Sequence, residues 1–471
     1  MDISLLQQQP VDFIELAFSE SLWPYQQTIV NALRDFKRVS VRSCHDIGKS
    51  YTAARIVLWY LYSHPNSKVI TTAPTFRQVQ DILWRELRSA KAKSIIDLGG
   101  TINQTSLNIG DQWFALGLST DEPSRFQGYH AEDILLVVDE AAGVKEEIFD
   151  ASEGIVSSQN ARVLYIGNPT NTEGSFYKSF KIESFKKIHI SAFDTPNFTT
   201  FGITIEDIRA NTWKDKITKE LPAPYLITPE WVYDKYLRWG EGTPMWDSRV
   251  IGNFPQQGEN TLIPLYKIEL ARLASLQTQE TDPEVIGADF ARFGADKTEY
   301  AYRKGPRVLD WKTLTKIDTI ANAGDLGLFM NFHPHASVNG DEGGLGVGIM
   351  DMVKANNPYK TVNGVNNAAQ PLDKENFVNL RAEMFWSLRD RFTDDQIDLS
   401  QLPQDVYEDL SSQLSNILYK FTPKGQRQIE SKEEMKKRGL PSPDKADALA
   451  LAFGVVESRP VIFDYMRDLA A

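Results

Sequence analysis

"SCHDIGKS", residues 43–50, decides how the first half of this chain is read. It closes on Gly48-Lys49-Ser50, the working end of the phosphate-binding loop G-x-x-x-x-G-K-[ST], but Ser43 stands where the first glycine of that pattern belongs. Such a loop turns its backbone amides inward around phosphate oxygens, and it needs a strand before it and a helix after it. Both are legible: the apolar run RVSVR (38–42) leads in, and an amphipathic helix over 49–62 leads out. In that setting Lys49 reaches the β- and γ-phosphates, Ser50 ligates Mg²⁺, and the amides of residues 47–50 sit at a helix N-terminus, where anions are stabilised. The expected nucleotide cradle is therefore Ser43, Cys44, His45, Asp46, Ile47, Gly48, Lys49, Ser50 and Tyr51.

Working outward, DILLVVDE (133–140) is a buried strand that ends in adjacent acids. In that arrangement Asp139 holds the Mg²⁺ shell and Glu140 polarises the attacking water. RVLYIGNP (162–169) is a further strand, whose Asn168 either senses the γ-phosphate or merely closes a β-turn. In WPYQQ (23–27), Gln26 has the chemistry to hydrogen-bond adenine and Tyr25 to stack on it, although Pro-Tyr-Gln also occurs freely in loops. Arg125, in SRFQGYH, is placed to neutralise transition-state charge on ATP or to make a structural salt bridge. KVITTAP (68–74) reads as a strand, 75–93 as a helix, and TSLNIGDQWFALG (105–117) as a hairpin turning at Gly110-Asp111. Strands separated by helices imply βαβ units and a largely parallel sheet.

The chain's 471 residues exceed what one core normally supports, so two domains are expected. With 42% hydrophobic and 24% charged residues, it has the composition of an ordinary globular protein. Its longest strongly apolar run, IVLWYLY (56–62), is far short of a membrane span, and its start lacks the pattern of a secretory signal. A single cysteine, Cys44, excludes an internal disulfide and fits a reducing compartment. The net charge of −12 argues against a protein that coats nucleic acid, although residues 420–438 carry seven Lys/Arg against three Glu. Those cations form a DNA-contacting patch only if several share one face.

The stretch 211–274 looks irregular, and the predicted division is an ATPase domain over 1–240, a connection over 241–280 and a second domain over 281–471. The second domain reads as antiparallel strands from Pro283 onward, followed by helices. It carries separated acids: Asp289 at a strand end with Asp296 on the following turn, Asp341 at another strand end, and Asp444 and Asp447 on the first turn of a helix. Acids so placed can converge, and converging carboxylates repel unless divalent cations sit between them. Two Mg²⁺ or Mn²⁺ ions there would activate water and stabilise the leaving oxygen in phosphodiester cleavage. Asp444 and Asp447 also fit as simple helix N-terminal acids. The histidines of HPH (333–335) read as loop residues rather than metal ligands.

The ordered set PYQQ, SCHDIGKS, APTFRQV, RFQGYHAEDILLVVDEAAGV, IGNP, GADFARFGADKT, GDEGGLGVGIMDMV and ESKEEMKKRGLPSPDKADALALAF resembles the large terminase subunit of tailed double-stranded DNA bacteriophages, of the HK97-like kind. The resemblance covers nearly the whole chain. It implies an α/β protein with an N-terminal P-loop ATPase of the additional-strand, conserved-glutamate type and a C-terminal ribonuclease H-like nuclease. The implied work is ATP-driven pumping of double-stranded DNA into procapsids and metal-dependent cutting of concatemers. Lys49 and Ser50 match the phosphate loop, Asp139 and Glu140 the metal-binding and catalytic acids, Asn168 the coupling motif, and Asp289, Asp341 and Asp444 the nuclease triad. Asp447 competes with Asp444 as third ligand, and Arg125, Arg77 and Arg42 compete as the arginine acting on a neighbouring subunit's ATP. The resemblance further implies ATP and Mg²⁺ as cofactors, with Mn²⁺ possible at the nuclease. Its implied partners are a small terminase subunit, the portal protein and a homo-oligomeric, pentameric ring. The implied place is the host cytoplasm and, transiently, the portal vertex. A helicase-like or recombination ATPase with a non-cleaving second domain is the alternative, and a structural adaptor with vestigial sites is a third reading.

Overall fold

The computed structural model describes residues 3–119, 123–126, 128–256, 260–291 and 296–454. The chain divides into two compact units, Met1–Gln256 and Gln257–Ala471. The expected 241–280 connection is shared out between them. Its first part, Pro244–Ile251, is helical, and Gly252 just after it lies against Ser43-Cys44 within the first unit; Leu265–Leu273 is a helix of the second. The aromatic residues of 211–274 that made the stretch look irregular are core anchors: Trp213, Trp239 and Trp246 are buried, on short helices.

The first unit contains β1 (Arg38–Ser43), β2 (Lys68–Thr72), β3 (Thr101–Ile102), β4 (Ser106–Gly110), β5 (Trp113–Gly117), β6 (Ile134–Asp139), β7 (Arg162–Gly167) and β8 (Lys186–Ile190). They form one sheet in the order β3-β4-β5-β2-β6-β7-β1-β8. From β5 to β8 every neighbour is parallel, while β3 and β4 close one edge antiparallel. Both β2 and β6 are buried along their whole length, which is why β6, ILLVVD, reads as a near-continuous apolar run rather than an alternating one. The β4–β5 turn falls on Asp111-Gln112, one residue later than expected, because Gly110 still pairs with Trp113. The predicted helix over 75–93 starts at a Thr75 cap and carries a π-helical turn at Val79–Leu83.

Topologically, β7 lies between β1, which feeds the phosphate loop, and β6, which carries the acidic pair. This inserted strand is the additional strand of the ATPase type expected from the resemblance, and it delivers Asn168 between the other two strand ends. The helix Lys49–Ser63 is apolar nearly all round because it is sandwiched: Ile56, Val57, Leu58, Trp59, Tyr60 and Leu61 are all buried, and Trp59 donates from Nε1 to the Leu6 carbonyl of an N-terminal helix at 2.9 Å.

In the second unit β9 (Glu284–Asp289), β10 (Thr298–Lys304), β11 (Arg307–Leu314), β12 (Ser337–Asp341) and β13 (Val362–Val365) form a sheet ordered β11-β10-β9-β12-β13. The first three are antiparallel; β12 and β13 run parallel to β9. That is the ribonuclease H-like arrangement. Helices interleave with the strands rather than following them, since each parallel strand needs a crossover: Thr319–Phe332 before β12 and Gly346–Asn356 before β13. Those two helices cover one face through Leu326, Phe329, Met330, Ile349 and Val353. Helices Leu265–Leu273, Leu380–Thr393, Gln404–Asn416 and Asp444–Phe453 belong to the core on the other face. A small hairpin, β14 (Tyr419–Phe421) with β15 (Arg427–Ile429), completes the unit. Helix Asp444–Phe453 lies so close to β9 that a side chain at Gly287 would strike the backbone of Ala448 and Ala452, which fixes where its acids emerge. Among the described residues no helix is long and apolar enough to cross a membrane.

Candidate active sites

In the first unit the ends of β1, β6 and β7 meet. Ser43 has ordinary strand geometry as the last residue of β1, so the missing glycine removes nothing the backbone needs there. The positive φ angles of the loop fall instead on Asp46 (46°) and Gly48 (79°). Aspartate tolerates this conformation better than most residues, and glycine takes it freely. The loop is pinned from outside: Cys44 N donates to the Ile190 carbonyl (2.8 Å), His45 N to Arg249 (2.8 Å) and Ile227 N to Asp46 (3.0 Å). Gln26, in the first turn of helix Pro24–Asp35, is buried and accepts from Trp23 N at 3.2 Å. A Cβ on Gly48 would lie 3.0 Å from Gln26 Nε2, so this amide abuts the loop at its tightest point.

Lys49 is buried, and its Nζ donates to Asn168 Oδ1 at 3.2 Å while lying 3.6 Å from Glu140 Oε1. Asn168 Nδ2 in turn donates to the Ser43 carbonyl at 2.7 Å, which ties the end of β7 to the loop. Ser50 Oγ donates to Asp139 Oδ2 at 2.6 Å, so the hydroxyl and carboxylate expected to share a cation face each other. Burial and the neighbouring Glu140 push Asp139 up to about 6, against the opposing pull of Ser50 and Lys49. Glu140 has left-handed backbone (φ 47°), a strained conformation of the sort that persists at functional positions. Gly167 makes this possible, because a Cβ there would come 2.9 Å from Ala141 N.

The remaining predicted cradle residues divide. Cys44 is fully buried and offers only backbone; burial drives its thiol pKa far up. His45 is held neutral by burial, with Arg249 and Lys49 acting in the same direction. The ring of Tyr51 turns to the Arg55 guanidinium, 3.4 Å from its centroid. Tyr25 lies against Trp23, with centroids 5.6 Å apart. Among the arginines, Arg42 sits over the rings of Phe180 and Phe254, 5.6 Å from each, and Arg77 is 90% exposed beside Asp81. Arg125 is exposed and lines a cleft of about 380 Å³ with Phe76, Leu116 and Tyr129.

One residue at the loop was missed in the sequence. Arg249, on a π-helical turn Asp247–Ile251, donates from Nη1 to Asn168 Oδ1 at 2.9 Å and lies 3.4 Å from His45 Nδ1. Nothing in its neighbourhood, WDSRVIGNF, signals this.

In the second unit Asp289, Asp444 and Asp447 are all buried and surround one ammonium. Lys432 Nζ lies 2.9 Å from Asp447, 3.7 Å from Asp444 and 3.8 Å from Asp289. Burial raises the pKa of Asp289, Asp444 and Asp341. For Asp447 burial is outweighed by Arg381 and Lys432, and its pKa falls below the usual carboxylate value. Arg381 holds Asp447 Oδ1 from Nη2 (3.1 Å) and Nε (3.3 Å). Asp444 instead accepts from the Lys297 amide (2.8 Å) and the Ser442 hydroxyl. Asp341 is half-buried at the end of β12 and accepts from Gly343 N at 2.8 Å. Burial favours a neutral Lys432, but the acids prevail and hold it firmly charged. Among the described residues no three acidic, histidine or cysteine side chains are preassembled for an ion; the acids turn on Lys432 instead.

Of the cations between 420 and 438, Lys432 is 43% exposed but its ammonium reaches the acids, Arg438 pairs with Glu430 at 2.6 Å, and Lys420 pairs with Glu434 at 2.7 Å. His333 stacks on Tyr302 with centroids 3.8 Å apart and meets Asp310 at 3.0 Å, a packing role.

No protein-family model matches the chain. It is 22% identical over 467 residues to a probable terminase large subunit of Enterobacteria phage P7, an alignment covering 91% of this chain and 87% of that protein. Among solved structures it is similar to the nuclease domain of the large terminase subunit of bacterial virus Sf6, at 22% identity, 41% of this chain, 97% of that chain and a TM-score of 0.38. It is also similar to the large terminase of a thermophilic bacteriophage, at 10% identity, 93% of this chain, 99% of that chain and a TM-score of 0.41. The likeness to large terminase subunits read from the ordered motifs extends over most of the chain.

Proposed function

We propose that this chain is the motor and nuclease of viral DNA packaging: the first unit hydrolyses ATP to drive double-stranded DNA into a procapsid, and the second cuts concatemeric DNA. The observation that carries the reading is the conjunction in one chain of a loop ending in Lys49 between Asn168 and Glu140 and a separate ring of buried acids.

In the ATPase, Lys49 and the loop amides bind the phosphates, Gln26 borders the nucleotide side of the loop, and Glu140 orients the attacking water and accepts its proton. Asn168 links the loop to β7 and so reports the state of the γ-phosphate. Ser50 and Asp139 would hold Mg²⁺, and their facing hard-oxygen donors fit that ion, which supplies charge to the phosphate oxygens. Arg125, which is exposed and lines the cleft with Phe76, Leu116 and Tyr129, is the proposed arginine for a neighbouring subunit's ATP.

In the nuclease, Asp289, Asp341 and Asp444 would hold divalent ions, Mg²⁺ or Mn²⁺, which generate the nucleophile and stabilise the leaving oxygen. The oxygen-only donor set fits those ions, and a mutant nuclease domain of the Sf6 large terminase subunit has been solved with manganese. Asp447, already neutralised by Arg381, serves as the anchor of Lys432 rather than as third ligand. The small terminase subunit, the portal protein and a pentameric ring of this chain are the proposed partners, at the portal vertex in the host cytoplasm.

The test is a double dissociation on the purified chain. Glu140→Gln should cut ATP turnover about 10²- to 10⁴-fold and leave Mn²⁺-dependent plasmid nicking intact, with Asp289→Asn doing the reverse. A wild-type chain that hydrolyses ATP but never nicks DNA would favour the helicase-like alternative, and a chain that does neither would favour a structural adaptor.

A further inference from the structure

Two cations converge on one neutral atom at the phosphate loop. Asn168 Oδ1 accepts from Lys49 Nζ at 3.2 Å and from Arg249 Nη1 at 2.9 Å. A carboxamide oxygen has two lone pairs, so both bonds can form, while Glu140 Oε1 lies 3.6 Å from Lys49 Nζ. Phosphate oxygens, being ionised, are stronger acceptors for both cations than a neutral amide oxygen.

Arg249 is held there by construction. Its own carbonyl accepts from His45 N of the loop at 2.8 Å, so its backbone and its side chain both engage the phosphate-binding strand ends. Gly252, three residues on, has φ 71° and runs so close that a Cβ would lie 2.8 Å from Cys44 N and 2.5 Å from the Ile190 carbonyl. Ser248 and Val250 on either side are buried, which leaves Arg249 as the residue of the turn directed at the loop. The turn itself is π-helical, a widened geometry found often at functional sites.

We propose that Arg249 is a nucleotide-sensing residue of the ATPase, acting within its own chain: it leaves Asn168 to bind the γ-phosphate of ATP and returns to Asn168 when that phosphate is gone. This rests on the ATPase reading above. The segment that carries it, Pro244–Ile251, stands directly before the end of the first unit at Gln256. The presence of the γ-phosphate is thereby written into the stretch of chain that leaves the motor unit. The sequence candidates Arg42, Arg77 and Arg125 remain for other tasks.

The test compares ATP with ADP. In a Glu140→Gln background, which prevents turnover during the measurement, ATP and ADP affinities are read by calorimetry in Mg²⁺ for Arg249→Ala, for Arg249→Lys and for the parent. Loss of one charge-assisted bond to the γ-phosphate should weaken ATP about tenfold or more in Arg249→Ala and leave ADP affinity within about threefold, with Arg249→Lys in between. An unchanged ATP-to-ADP ratio overturns the inference, whether neither affinity moves or both fall together as a purely structural role requires. A parent that binds neither nucleotide overturns the ATPase reading itself, and this inference with it.

Discussion

At the phosphate loop Lys49 leans on a neutral amide, Asn168 Oδ1 at 3.2 Å, and its nearest carboxylate, Glu140, stands off at 3.6 Å. In the second unit Lys432 stands among three buried carboxylates, in contact with Asp447 at 2.9 Å. A lysine on an amide gives up little when an anion arrives, because the amide keeps no net charge. A lysine among acids leaves only when other positive charge replaces it, since bare buried carboxylates are strongly destabilised. The first site is thus arranged for an incoming anion and the second for an incoming cation, although both show a lysine beside acids.

Removing the lysine of the second site should break the comparison most severely. Lys432→Ala leaves Asp289 and Asp444 without their counter-charge, so the metal-free variant should melt several degrees below wild type. Added Mn²⁺ should restore more Tm to the variant than to wild type. Equal Mn²⁺ gains in thermal denaturation would mean that the ammonium and the metal do not share a place.

Next in size is the pH response of Asp139. Its folded-state pKa, raised by burial and Glu140 to about 6, exceeds its ordinary value of 3.8, so the folded chain binds the extra proton between those values. Stability from this group is therefore lost as pH rises through that window, an effect on the order of 3 kcal/mol when complete. Asp139→Asn should raise the Tm of the metal-free chain at pH 8 and change little at pH 4. Equal effects at both pH values would contradict this. Asp447 has the opposite sign: Arg381 and Lys432 lower its pKa despite burial, so its contribution is present at neutral pH and lost in acid.

The smallest effects sharpen the loop. Ser43 is extended, so Ser43→Gly should cost less than about 1 kcal/mol and leave ATP affinity unchanged. Gly48→Ala forces a Cβ into left-handed backbone, 3.0 Å from Gln26 Nε2, and should cost about 1–2 kcal/mol and weaken ATP binding. Chemical denaturation with nucleotide titration ranks the pair, and the reverse order would refute the geometry.

The same pair shows what a sequence can and cannot reveal. Strand ends were legible wherever an apolar run stops at a functional residue, as at Asp139, Asn168, Asp289 and Asp341, because burial and chemistry are written side by side. The apparently defective Ser43 was judged against a pattern, whereas the φ angles show that the demand for glycine falls on Gly48 alone. Arg249 and Lys432 were illegible for another reason. Arg249 meets Asn168 across 81 residues and Lys432 meets Asp289 in a contact no local pattern records, so only the folded chain brings them together. Lys432 sits in a run of surface cations and is itself 43% exposed, and a charge run in sequence does not tell which of its members sends its ammonium to buried acids.

The central claim is that one chain carries two separable engines, and packaging of linear and concatemeric DNA into procapsids tests it most directly. The account predicts that wild type fills procapsids and cuts concatemers, that Glu140→Gln fills none, and that Asp289→Asn fills them with linear DNA but leaves concatemers uncut. Packaging by Glu140→Gln, or failure of Asp289→Asn to package linear DNA, would contradict it.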